Sequence, residues 1–162
     1  MTDWTKVVQD AETQAENQRQ EQDSRNAEAR EREAKRRSEI SKVMREIVLP
    51  VLRSAEAALM QSGHVYKMEP LTYPGGDPAP TQIRGFAFRV GKVKSLAASQ
   101  PEESLTSTFT IEDVDVLRKI QFHAHHRGIS RRGPHETVEP ADMTTAWVEE
   151  RLARFIENAF AA

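Results

Sequence analysis

Arg118 to His135 carries the most unusual local chemistry of this chain. In 18 residues it holds five fixed cations (Arg118, Lys119, Arg127, Arg131, Arg132), four histidines (His123, His125, His126, His135) and no acid. Two kinds of chemistry would use such a run. The first is polyanion binding, with arginines meeting phosphates and imidazoles beside them. Arg84, Arg89, Lys92 and Lys94, further up the chain, would add to it if their strand lies beside this one. The second is metal binding. Side chains two apart on a strand share a side, so His123 and His125 would point the same way and His126 the other. A catalytic metal normally takes three protein ligands, and His135, His64, Asp115 and Glu136 are the candidates for the third. Weighed against both is a plain reading. His123 and His125 alternate with Phe122 and Ala124, as the solvated outer face of a strand would. Glu112, Asp113 and Asp115 lie just upstream, and the net charge is −2.

Other catalytic templates are missing from the sequence. It contains no GxxxxGK[ST], GxGxxG or GxSxG pattern. It has no cysteine, which excludes disulfides, thiolate zinc sites and cysteine nucleophiles. The expectation is therefore no cofactor. Charge is evenly spread: residues 1–62 carry 11 basic and 12 acidic side chains, and the remainder 12 and 13, so no general attraction to nucleic acid or membrane is indicated. The N-terminus lacks the basic start and apolar run of a signal peptide, and no apolar stretch approaches the length of a membrane span. The expected location is the cytoplasm.

The elements that would position these residues begin with a long polar segment. Asp3 or Thr5 caps a helix start. Trp4, Val7, Val8, Ala11 and Ala15 then recur at spacings of three and four, forming a short apolar stripe. Beyond it, up to Ile40, the only apolar residues are Ala27, Ala29 and Ala34. Good helix formers dominate there. Glu28–Arg32, Glu31–Lys35 and Glu33–Arg37 place acid four residues before base, the supportive order on a helix. A segment like this buries nothing in a globule, so residues 1–39 are expected to be a projecting helical arm.

Residues 40–62 trace one helical face through Ile40, Val43, Met44, Ile47, Val51, Ala55, Ala58 and Leu59, with Pro50 breaking or kinking it near Glu46–Leu49 and Gly63 as the C-cap. Residues 64–126 read as four strands: His64–Glu69, Gln82–Lys94, Leu105–Glu112 and Val116–His126. Asp113 is the expected turn, and Gly85 and Gly91 mark bulges or close backbone approach. Arg127–Glu136 reads as a loop. Asp142 or Thr144 caps a last helix, 142–160, with Val148, Leu152, Phe155, Ile156, Ala159 and Phe160 on one face. The loop Tyr73-Pro74-Gly75-Gly76-Asp77-Pro78 resembles the Tyr-Pro-x-x-x-Pro motif of the RWD family, a helix–four-strand–helix interaction fold. The resemblance covers six residues, placed after the first strand rather than late in the meander, and no site residue is taken from it.

The fold expected is α+β: a four-stranded antiparallel meander covered by two helices in a domain of residues 40–162, with the arm before it. The function expected is non-catalytic protein–protein interaction, by a self-associating or adaptor-like subunit whose partner-binding residues are Trp4, Val7, Val8, Ala11 and Ala15. The alternatives are a nucleic-acid-associated protein using Arg118, Lys119, Arg127, Arg131 and Arg132, and a metal-dependent enzyme at His123 and His125.

Overall fold

The computed structural model describes residues 1–74, 82–94, 105–126 and 135–161, with the side chains of 92–94 excepted. It forms two compact units, Met1–Arg37 and Ser38–Ala162. The class is α+β, in the order α1 (Trp4–Val43), a π-helical turn (Met44–Val48), α2 (Leu49–Gln61), β1 (His64–Thr72), β2 (Ile83–Lys94), β3 (Ser107–Val114), β4 (Lys119–His126), β5 (Glu136–Val138) and α3 (Thr145–Ala161).

α1 starts at an Asp3 cap, whose Oδ1 accepts from the N–H of Thr5 at 3.1 Å and of Lys6 at 3.3 Å. No glycine or proline precedes Pro50, so nothing local interrupts the helix. Ion pairs four apart line it, Glu28–Arg32 and Glu33–Arg37 both at 3.1 Å. An exposed pair such as Glu28–Arg32 contributes about 0.3–0.5 kcal/mol. The first buried residue is Ile40.

Pro50 has no N–H, and its ring would strike the carbonyl four residues back. The chain answers with a widened turn rather than a break: over Met44–Val48 the ladder becomes π-helical, and Leu49 N–H donates to Met44 O, five residues back. α2 then ends as its sequence suggested, at Gly63 with φ 73° and its N–H on Met60 O.

The sheet is antiparallel throughout, in the order β1-β2-β3-β4-β5. This corrects the four-strand expectation. β5 is three residues long, pairing Ile120 with Val138 and Phe122 with Glu136. So short a strand has no periodicity to read. Strand boundaries also move. β3 runs on through Asp113, which is buried rather than in a turn and accepts a 2.7 Å hydrogen bond from Tyr73 Oη. The turn is Asp115–Arg118, with Arg118 at φ 52° and Val116 and Leu117 exposed, so β4 starts at Lys119. β1 extends through Pro70, which an edge strand tolerates.

One face of the sheet and the helices make the core. Phe86, Phe88 and Val90 of β2, Phe109 and Ile111 of β3, and Ile120, Phe122 and Ala124 of β4 meet Ile40, Met44, Val48 and Leu52 and the Val148, Leu152 and Phe155 stripe of α3. The Phe109 ring lies 4.8 Å from Phe122 and 5.5 Å from Phe155. Thr144 caps α3, its Oγ1 accepting from Trp147 N–H at 3.2 Å. Arg151 ties α3 to β5: its Nε donates to Glu136 Oε2 at 2.6 Å while its guanidinium lies 3.9 Å over the Trp147 ring.

Candidate functional site

The N-terminal stripe lies on α1. Every residue from Met1 to Arg32 is exposed, including Trp4 at 71%, Val7, Val8, Ala11 and Ala15. An exposed tryptophan beside two valines leaves apolar surface in water.

The cationic run divides. Arg127, Arg131 and Arg132 lie outside the described residues. Arg118 is exposed on the β3–β4 turn, and Lys119 pairs with Glu139 at 3.3 Å. β2 does not neighbour β4, because β3 lies between them. Arg84 is spent on Glu112 at 2.6 Å. Register explains that contact: Leu71 faces Gly85 while Thr72 faces Ile83, so Arg84 is the extra residue of a bulge, turned to the side of Gly85 and Glu112. The side chains of Lys92 and Lys94 are outside the described residues.

What remains lies on the sheet face away from the core. Register stacks it in three rows: Lys67, Arg89, Thr108 and His125; Glu69, Ala87, Thr110 and His123; and Leu71, Gly85, Glu112, Gln121 and Thr137. The middle has a floor of small residues, Gly85, Ala87 and Thr110, with Ala87 and Thr110 each only 8% exposed. Longer side chains stand around it. Glu69 accepts from Lys67 at 2.8 Å and lies 3.6 Å from Arg89. His135 brings its ring to 5.6 Å from His123 and pairs through Nδ1 with Gln121 Nε2 at 3.0 Å. Among the described residues, Arg89 Nε and His123 Nδ1 are buried without a hydrogen-bond partner, as is His64 Nδ1, whose ring stacks 4.5 Å from Phe160. An unmet buried polar atom costs about 1–3 kcal/mol.

Burial holds the His123 imidazole below its ordinary range. Glu112 opposes that shift, and His135 and His125 reinforce it. His126 is on the core face, as the alternation predicted, with Nδ1 2.8 Å from Ser107 Oγ and its ring stacked 5.3 Å from Phe155. Burial, then His125, lowers its pKa also.

For the metal reading, His123 and His125 share a face, yet no group of three His, Cys, Asp or Glu side chains among the described residues is placed to hold an ion. A shallow apolar groove of about 250 Å³ runs between α2 and α3, lined chiefly by Val51, Ala55, Ala58, Leu152, Ala153 and Ile156. No described helix is long and apolar enough to cross a membrane. Sequence reasoning missed the small-residue floor and the Glu69, Glu112 and Gln121 rim. The alternation of Thr106, Thr108 and Thr110 was the available signal for that face, but only register shows what stands beside it.

Comparisons of the chain with protein-family models, curated proteins and solved structures returned no match.

Proposed function

We propose that the protein is a non-catalytic assembly subunit that self-associates through its N-terminal helix. The observation that carries this reading is the stripe Trp4, Val7, Val8, Ala11 and Ala15, exposed on a helix whose first described turns bury no residue. A helix–helix contact buries such a stripe without needing any other element.

Charge placement supports a second copy as the partner. Residues 3–16 hold Asp3, Asp10, Glu12 and Glu16 against Lys6, a net −3, and residues 30–37 hold Arg30, Arg32, Lys35, Arg36 and Arg37 against Glu31 and Glu33, a net +3. Two such helices laid antiparallel set the acidic end of each, with its apolar stripe, against the basic end of the other, where the alkyl stems of the arginines and lysine cover the stripe. The apolar stripe is too short for a long coiled-coil seam, so complementary charge supplies the orientation.

Light scattering on the full chain and on a chain beginning at Arg37 tests this. The expected result is an oligomer that becomes a monomer on truncation, and a dimer weakened by Trp4→Ala and by added salt. A full-length monomer, or a truncated chain that keeps the same oligomeric state, overturns it.

A further inference from the structure

We propose that a second copy of α1 docks along one acid-free face of the arm, running from Trp4 to Arg32, with the two helices antiparallel. This rests on the helix reading above and extends the contact from the apolar tip to a defined seam.

Spacing is the first support. Trp4 heads the seam. Seven-residue steps from Val8 reach Ala15, Gln22 and Ala29, and the same steps from Ala11 reach Gln18, Arg25 and Arg32. The intervals alternate between four and three residues, which keeps these nine side chains on one line facing a neighbouring helix. Residues 4–32 contain seven acids, and none of them falls on that line. Every residue of the seam is exposed.

Side-chain pairing is the second support. The long polar residues of the seam turn toward partners on their own helix. Arg32 lies 3.1 Å from Glu28, and Arg25 lies 3.8 Å from Glu21. Gln22 Nε2 donates to Asn26 Oδ1 at 3.2 Å. Glu21 and Glu28 stand on one flank of the seam, so both guanidinium groups lean off it and leave their methylene stems along it. Covering these residues strands no charged head. An acid on the seam would instead set a carboxylate against apolar and small side chains.

Charge decides the occupant and its direction. The seam is apolar at Trp4 and Val8, with Asp3, Asp10 and Glu12 around that end, and it is cationic at Arg25 and Arg32. Laid antiparallel, the apolar, acid-flanked end of each copy meets the arginine stems of the other. Laid parallel, Arg25 and Arg32 would face their own counterparts. The midpoint of the antiparallel pair falls near Gln22, where two neutral amides meet. Polar residues at such positions fix the direction of a helix pair at some cost in its stability.

The chain has no cysteine, so a single spin label can be placed on it. Dipolar EPR on the full chain labelled at Gln20→Cys or at Gln9→Cys, both off the seam, reads the geometry, and light scattering of the same samples reads the mass. The expected result is a short distance between the two labels at position 20, and labels at position 9 separated by about 35–40 Å along the helices. Ala29→Glu, which puts a carboxylate on the seam, should weaken the dimer about tenfold or more. Ala27→Glu, the same substitution on the outer face, should leave it unchanged. Equal short distances at both labelled positions describe a parallel pair and overturn the proposal while leaving self-association standing. Equal effects of the two alanine substitutions, in chains of unchanged helicity, overturn it too. A monomeric mass removes the helix reading and the proposal together.

Discussion

Gly85→Ala tests the tightest contact in the sheet. Gly85 faces Glu112 across β2–β3. A Cβ built there would lie 2.3 Å from Ile111 O, 2.6 Å from Glu112 Cα and 2.7 Å from Glu112 Cβ. Carbon atoms pack best at about 3.5–4.0 Å, so the strands would have to part by about 1 Å. Two of those three atoms are backbone and cannot rotate away. Overpacking of this kind costs about 1–3 kcal/mol, and a weakened ladder bond adds about 1 kcal/mol. Alanine's smaller backbone entropy loss returns about 0.5–1 kcal/mol. The net expected cost is about 1–3.5 kcal/mol. At about 2.1 cal/mol/K per residue, the unit Ser38–Ala162 loses about 4 °C per kcal/mol, so Tm should fall by about 4–14 °C. Gly63→Ala is the internal comparison. Its φ is 73° with nothing within 4 Å of a new Cβ, so its cost is purely conformational. That is about 1–2 kcal/mol, and less for Gly63→Asn, since asparagine tolerates the left-handed region. Urea unfolding followed by Trp147 fluorescence in a Trp4→Phe chain reads both. Gly85→Ala within about 0.5 kcal/mol of the parent, or Gly85→Val no worse than Gly85→Ala, would refute the steric argument.

Three further outcomes are expected. Arg151→Lys should lose most of what Arg151 contributes, about 1–2 kcal/mol, because an ammonium cannot keep both the Glu136 contact and the flat stack on Trp147; a double-mutant cycle with Glu136→Gln measures the coupling, and zero coupling contradicts the geometry. Stability should fall on the acid side. His126 is held below its ordinary value of about 6.5, so the unfolded chain binds the proton more tightly, and stability is full above that value and lost as pH drops through the lower folded one; unfolding midpoints from pH 8 to 5 should therefore slope less in His126→Gln, and identical slopes would remove His126 as a cause. Thr144→Ala should cost about 1 kcal/mol by leaving the Trp147 N–H without its cap, an effect that Thr144→Ser should restore in thermal melts.

The elements readable from the residues are those with local causes. The helix from Asp3 followed from helix formers, a cap and the absence of glycine and proline. Pro50 announced a disturbance, although whether the backbone breaks or widens depends on packing on both sides, and here the core residues Met44 and Val48 stay buried through the π turn. Gly85 was legible as a close approach because a strand interior has little other use for glycine. β5 was not legible, since three residues gain a strand's identity only from the neighbour they pair with. Asp113 was misread for a related reason: a carboxylate ordinarily marks a turn, and only the tertiary placement of Tyr73, forty positions away, gives it a buried partner.

The amino-acid order alone determined the class of fold, the polar helix with its apolar tip, and the alternation that sends His123 and His125 to one side of β4 and His126 to the other. These are consequences of period, propensity and side-chain direction, which act within a few residues. The tertiary structure decided which charges cancel. Register and a one-residue bulge aim Arg84 at Glu112, place β3 between the two cationic strands, and leave Arg89 and His123 around a floor of small residues. Pairing between strands is fixed by the buried face as a whole, because a one-residue slip would turn every core side chain outward, and so the neighbours on the open face follow from the packing of the opposite one.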